Sequence, residues 1–371
     1  MLAQSEVAQY LLRNRLVSAE CFVNGELSIT EASRRNRNYK VICRPGTSYL
    51  LKQGDGESGA ATVAHESKVY GILDASPEGI SLQPYLPRCH GYDAGERILI
   101  LELLSDARDF REHHLRRGRF PAGLAAELGA ALSTLHRLPA AAFTGNGADF
   151  GTRIPWVLSL HRPGLTIFRD ASNANLQLIR ILQNTPGFPE MLDALREGWR
   201  VDSLIHNDIK WDNCLVPVNP ARENGSGLKI VDWEFARLGD SAWDAGAIFS
   251  NYLSVWLFSI PVSGEEPPER FLDLALFPLE RMQPAMRAYW ETYAGARNFD
   301  PTRTSEFLLR AVRYAAARLV QTGFEHMQHS TFLTGNLVCL LQLSLNIMQR
   351  PREAIAHLLG IPLAHSAGQA R

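Results

Sequence analysis

The sequence predicts an α+β protein built as two lobes, a small β-rich one over residues 1–103 and a large helical one over residues 104–371. Three observations predict it. Positions 20–104 consist mostly of short strand-like runs bounded by turn residues, with one helical segment among them. From about residue 105 onward, apolar residues recur at helical spacing instead. A chain of 371 residues is also long for a single core, so two lobes are its natural organisation.

The elements follow in order. MLAQSEVAQYLLRNRLV reads as a short amphipathic helix and has no continuous apolar stretch of signal-peptide length. ECFVNGELSI carries an Asn-Gly hairpin turn, EASRRNRNYKV is a second hairpin, and NYKVICRPGTSYLLKQ is two strands around Arg-Pro-Gly. AATVAHESKVYGIL is a helix, and RILILELL is an apolar strand of the buried kind. Beyond the hinge at Leu104, PAGLAAELGAALSTLHRL, PEMLDALREGWR, ERMQPAMRAYWETYA and TSEFLLRAVRYAAARLVQTGFEHM are helices. One β episode interrupts them, CLVPVNPARENGSGLKIVDW, two strands joined by a polar turn. The apolar segment AIFSNYLSVWLFSIPV is too short and too polar to span a bilayer and reads as a buried helix.

Composition narrows the function classes. With 46% apolar residues, 21% charged residues and a net charge of −1, the chain offers no global case for nucleic acid or an anionic membrane as partner. Its five cysteines are scattered and form no C-x-x-C pair. That usage fits a reducing cytoplasm better than a disulfide framework or a structural zinc site, so a cytoplasmic location is expected. Oligomeric state is left open.

The chemistry-bearing stretch is IHNDIKWDNCLV at 205–216, just before the hairpin of the helical lobe. Asp208 is followed five positions later by Asn213, and the second hairpin strand ends in another acid, Asp232. The first carboxylate suits orienting a hydroxyl and taking its proton. The Asn213 amide oxygen and the Asp232 carboxylate are hard oxygen ligands suited to Mg²⁺, which bridges nucleotide phosphates.

HNDIKWDN matches the kinase catalytic-loop pattern H-x-D-x-x-x-x-N, and Asp232-Trp233-Glu234 stands where protein kinases carry D-F-G. With LSTLHRL at 132–138 and IVDWEFARLGDSAWDAG at 230–246, the chain resembles the aminoglycoside phosphotransferase and choline-kinase-like branch of the protein-kinase-like fold over roughly residues 30 to 260. The resemblance implies an ATP- and Mg²⁺-dependent phosphotransferase. Asp208 would be its catalytic base, and Asn213 and Asp232 its metal ligands. It implies a structural role for His206. It also implies that Asp244 ties down the catalytic-loop backbone, for which helix capping is the equal alternative. Cys214 reads as a buried strand residue.

The β lobe should grip the nucleotide. Thr62, Glu66, Val69, Tyr70 and Leu73 share one helix face, where an unpaired Glu66 carboxylate would be costly. A pair with Lys52, at the end of the strand TSYLLK, answers that cost. It resembles the kinase pair that positions nucleotide phosphates. By the same resemblance, the Glu102 carbonyl and the Leu104 N–H would hold the adenine edge. The chain departs from protein kinases before Lys52, where no G-x-G-x-x-G occurs. There Ser33 and Asn36 could help place backbone donors, and Arg34, Arg35 or Arg37 could meet phosphate oxygens; a solvated basic turn is the alternative.

Eleven residues separate Asp232 from Asp244, too few for a regulatory activation segment. The 139–187 insertion and the C-terminal helices would instead wall an acceptor site. The expected acceptor is a small-molecule hydroxyl. Glu265, Glu266, Glu269 and Glu291 are candidates to face a polycation, or simply solvated acids. Lys210, two residues after Asp208, could stabilise the transferring phosphoryl group. Its alternative is a solvated loop lysine. Lys210 and the RNRNYKV, KWDN and DWE combination also resemble phosphotransferases of bacterial peptide-modification clusters, so a Ser/Thr kinase of a ribosomally made precursor peptide is the second reading. A catalytically silent nucleotide-binding partner is the third.

Overall fold

A computed structural model describes residues 2–32, 36–44, 46–77, 79–138, 140–143, 150–218, 227–261 and 272–362. In chain order its elements begin α1 (Gln4–Arg13), α2 (Ala19–Val23), β1 (Leu27–Glu31), β2 (Arg37–Cys43), β3 (Tyr49–Gln53) and α3 (Gly56–Ala75). Next come β4 (Cys89–Asp93), β5 (Ile98–Glu102), β6 (Ala107–Asp109), α4 (Phe110–Arg117) and α5 (Ala122–Arg137). The middle of the chain forms α6 (Leu165–Asp170), α7 (Asn173–Asn184), α8 (Phe188–Glu197), β7 (Ser203–Ile205), β8 (Cys214–Pro217), β9 (Lys229–Ile230) and β10 (Arg237–Gly239). The C-terminal part is helical: α9 (Ser241–Phe258), α10 (Leu279–Arg297), α11 (Pro301–His326), α12 (Gly335–Gln349) and α13 (Pro351–His357).

The chain forms two compact units. The first is Met1–His113, Ala141–Asp149 and Asp212–Ala236; the second is His114–Ala140, Phe150–Trp211 and Arg237–Arg371. The first unit contains an antiparallel sheet in the order β1-β2-β3-β5-β4. Strand alternation sends Tyr39, Val41, Tyr49 and Leu51 into one apolar cluster with Val7, Tyr10 and Leu11 of α1. Each such buried side chain contributes about 1.5–3 kcal/mol. Lys52, the neighbour of Leu51, therefore projects from the opposite face, where α3 packs. A smaller sheet, β6-β8-β9, completes this unit.

In the second unit, α9 is buried almost all round and packs on α11, as its apolar sequence leads one to expect. Gly246 permits that approach: a Cβ there would lie 2.2 Å from the Ala311 carbonyl oxygen. α5 packs on α10, and β7 pairs with β10.

Three sequence expectations need correction. ECFVNGELSI is not a hairpin. Ser18 Oγ accepts from the N–H of Cys21 and starts α2, so Asn24-Gly25 ends a helical turn and Gly25 takes φ 70°. The β episode after Leu104 is not alone, because three-residue strands β6, β7 and β10 are too short to leave a pattern. Finally, Cys21 and Cys43 are paired as a disulfide where α2 meets β2, although nothing in their spacing marks them as partners. Among the described residues, no helix is long and apolar enough to cross a membrane.

Candidate active site

In the first unit, Lys52 Nζ donates to both carboxylate oxygens of Glu66, at 3.0 and 2.9 Å, and to Asp232 Oδ1 at 2.8 Å. Glu66 is 1% exposed, so its charge is tolerable only because it is paired. Its Oε1 also accepts the main-chain N–H of Trp233 at 3.2 Å, which clips the segment after β9 onto α3. Burial pushes the Glu66 carboxyl up, against the pull of Lys52. Burial alone would lower the Lys52 ammonium, but Glu66 and Asp232 outweigh it and hold it above its ordinary value. Lys52 is thus a fixed cation between two carboxylates.

β8 and β9 place the next pair. Cys214 registers with Ile230, and the Asn213 carbonyl accepts the N–H of Val231 at 3.0 Å. Asn213 and Asp232 are thereby brought to the same end of one short ladder. Asp232 takes a left-handed conformation, φ 69° and ψ 57°, a costly backbone for an acid and one found preferentially at functional positions. Burial pushes the Cys214 thiol well up, in keeping with a strand residue that does not react.

Asn36 is 8% exposed and its amide donates to Glu234 Oε2 at 3.3 Å. Ser33, Arg34 and Arg35 lie outside the described residues. At the end of β5, the Glu102 N–H donates to the Arg88 carbonyl, but the Arg88 N–H goes to Glu102 Oε2 at 3.0 Å instead of returning to the main chain. The main-chain carbonyl of Glu102 and the N–H of Leu104 therefore stay free among the described residues.

In the second unit, the segment after β7 is gripped from beneath. Asp244 Oδ2 accepts the N–H of His206 at 2.6 Å, and Oδ1 accepts that of Asn207 at 2.9 Å. Asp240, not Asp244, caps α9, which decides between the two readings of Asp244. His136 of LSTLHRL lies buried between Tyr293 Oη at 2.9 Å and Asp244 Oδ2 at 3.4 Å. Asn251 Oδ1 accepts the N–H of Trp211 at 3.1 Å, and Trp243 Nε1 donates to the Asn207 carbonyl. A loop with this many main-chain anchors presents Asp208 at a fixed place. Lys210 Nζ donates to Asp208 Oδ2 at 2.7 Å. Burial would lower the Lys210 ammonium, but the Asp208 charge prevails and raises it.

Sequence reasoning missed Arg318, Asn251 and the partners of His136. Arg318 Nη2 donates to the Ile209 carbonyl at 3.2 Å and lies 3.9 Å from Asp208 Oδ1. Arg318 falls at apolar spacing within the helix, but an arginine there reads from sequence as solvated, so only the structure shows its burial. Of the acids considered for a polycation, Glu265, Glu266 and Glu269 lie outside the described residues, and Glu291 is an exposed residue of α10.

A family model described as "Phosphotransferase enzyme family" matches residues 28–307. Among solved structures, an amicoumacin kinase in complex with AMP-PNP, Ca²⁺ and Ami is similar at 14% identity, with a TM-score of 0.53, 94% of this chain and 96% of that one being covered. A choline/ethanolamine kinase family protein from Mesorhizobium loti gives 14% identity, a TM-score of 0.50 and the same coverage. A GDP complex of an aminoglycoside 2'-phosphotransferase-IIIa point mutant gives 12% identity and a TM-score of 0.50 over 96% of this chain and 99% of that one. No curated protein sequence matches the chain. These likenesses establish a two-lobed, protein-kinase-like α+β fold.

Proposed function

The chain belongs to the phosphotransferase enzyme family and is a phosphotransferase with an alcohol group as acceptor; on that premise we propose that it moves the γ-phosphoryl group of ATP to a hydroxyl of a small molecule, with Mg²⁺. The observation that carries this reading is the buried Lys52, held by Glu66 and reaching Asp232 at 2.8 Å. A lysine fixed by one carboxylate and facing another is suited to receive nucleotide phosphates beside a metal. Residues 1–103 are the nucleotide-binding lobe in this reading, with the free Glu102 carbonyl and Leu104 N–H offered to the adenine edge. Asn36 stands with the nucleotide grip, its amide fixed on Glu234.

The metal would be held by Asn213 and Asp232. Their donors are hard oxygens, as Mg²⁺ requires. The Asp232 side chain is 36% exposed, which leaves it accessible beyond its bond to Lys52. Among the described residues no group of three or more His, Cys, Asp or Glu forms an alternative metal centre. When bound, the ion would neutralise charge on the phosphates.

The rest is done by the chain's own side chains. Asp208 orients the acceptor hydroxyl and takes its proton. Asp244 holds the backbone before Asp208, so that the base does not have to be ordered during reaction. Lys210, already on Asp208 Oδ2, supplies positive charge beside the transferring group. The solved structures that share the fold include a choline/ethanolamine kinase family protein, an amicoumacin kinase and an aminoglycoside 2'-phosphotransferase, which supports a small molecule here. The Lys210–Asp208 pair favours a second reading, transfer to Ser or Thr of a precursor peptide.

The test is to incubate the protein with Mg·ATP and a mixed pool of hydroxylated metabolites and Ser/Thr peptides, then read phosphate gain by mass spectrometry. Asp208→Asn is the blank. A phosphorylated metabolite absent from the blank is expected. A phosphopeptide instead would select the second reading, and wild-type transfer by Asp208→Asn would remove Asp208 from the chemistry.

A further inference from the structure

We propose that Arg318 is the positioning residue of the Asp208 carboxylate, an inference that rests on Asp208 being the base. α11 buries an almost wholly small and apolar face around Tyr314, Ala315, Leu319 and Val320. An arginine there, with its side chain 7% exposed, persists only if its donors are used. They are used on the catalytic segment. Nη2 donates to the carbonyl of Ile209, the residue after the base, and faces Asp208 Oδ1 at 3.9 Å. Nη1 donates to Gln321 Oε1 at 3.3 Å, and the guanidinium lies over the Trp243 ring at 5.3 Å. Gln321 Nε2 in turn donates to Glu325 at 2.8 Å, which fixes the amide with its oxygen toward Arg318.

The carboxylate thus has a cation at each oxygen, Lys210 at Oδ2 from its own loop and Arg318 at Oδ1 from α11. Glu325 acts on the Lys210 side. The two cations are not equivalent. Lys210 is 37% exposed on a flexible stem. Arg318 is rigid, and the nitrogen that holds the Ile209 carbonyl also faces the carboxylate. It therefore sets where Oδ1 sits, while Lys210 remains available to the phosphoryl group.

The experiment measures kcat and KM for release of inorganic phosphate from Mg·ATP into water, so no acceptor need be identified. Water replaces the hydroxyl as nucleophile; its oxygen bonds to the γ-phosphorus, the bond to the bridging oxygen breaks and ADP leaves, and Asp208 takes the proton. Arg318→Gln should lower kcat on the order of a hundredfold while leaving KM for Mg·ATP within about twofold, because it frees the Asp208 carboxylate without touching the Lys52 grip. Arg318→Lys should recover part of the rate but leave kcat about tenfold down at an unchanged KM, because an ammonium keeps the charge but not the planar geometry. Arg310→Gln is the structural control. Arg310 lies on the same helix but pairs with Asp240 at 3.1 Å, so its loss should lower Tm without lowering the kcat of the folded protein. A kcat in Arg318→Gln that merely follows the folded fraction overturns the proposal, as does a wild-type rate in Arg318→Lys should the glutamine variant not fold. Asp208→Asn separates the two layers. Wild-type hydrolysis in that variant defeats the base itself, whereas its loss alongside normal Arg318 variants defeats only the positioning role.

Discussion

Replacing Lys52 by methionine should destabilise the first unit in a pH-dependent way. The substitution removes the donor to both oxygens of Glu66 and leaves that carboxylate, 1% exposed, with the Trp233 N–H. Breaking a buried ion pair by removing one partner costs about 3–5 kcal/mol. Asp232, 36% exposed, keeps contact with water and adds at most about 1 kcal/mol. Without Lys52, burial drives Glu66 further in the direction in which it already stands, upward. Above the unfolded carboxyl value of about 4.3, the native variant then binds a proton that the unfolded chain has released. Native stability must therefore fall as pH rises, by at most about 1.4 kcal/mol per unit, and the full loss needs roughly three units to develop. The variant should be close to wild type at pH 5 and about 3–5 kcal/mol weaker at pH 8. Urea titrations at both values, with protection of α3 read by pulsed hydrogen exchange, isolate the first unit. An equal loss at both values would show that lost packing, not an abandoned carboxylate, is what Lys52 prevents.

Asp244→Asn should cut kcat on the order of a hundredfold while leaving the affinity for Mg·ATP within about twofold, because it loosens the Asp208 backbone rather than the Lys52 grip; calorimetry and initial rates check the split. Gly246→Ala should cost about 2–3 kcal/mol, because its Cβ would meet the Ala311 carbonyl at 2.2 Å. By contrast Gly71→Ala, on the exposed face of α3 with no atom within 4 Å, should gain about 0.5–1 kcal/mol, and thermal melts distinguish the two signs.

The Lys52–Glu66 pair could be read in the sequence because two periodicities intersect there: alternation sends Lys52 to the face opposite Leu51, and helical spacing sets Glu66 in an apolar stripe. Asp208, Asn213 and Asp232 stand out in the sequence through spacing and the chemistry of their side chains, and the β8–β9 ladder brings the last two to one end. Arg318 was not, since it reaches Ile209 across 109 positions and a lone arginine in a helical pattern looks solvated. The Cys21–Cys43 disulfide was hidden for the same reason, and α2 was hidden by an Asn-Gly pair that serves a helix end as well as a hairpin. Strands β7 and β10 form only because residues more than thirty positions apart meet.

The division of the chain has a consequence for synthesis. The segment Asp212–Ala236, which brings Asp232 to Lys52 and the Trp233 N–H to Glu66, belongs to the same unit as Met1–His113. A ribosome must add 123 residues after His113 before that segment is complete, from 113 to 236, which at about 5–20 residues per second takes roughly 6–25 seconds. During that interval the nascent sheet and α3 carry Lys52 and Glu66 without Asp232 and Trp233. A fragment cut at the hinge near Leu104 is a permanent version of that state. The nascent N-terminal part thus holds the Lys52–Glu66 pair two partners short until its own later sequence arrives to finish it.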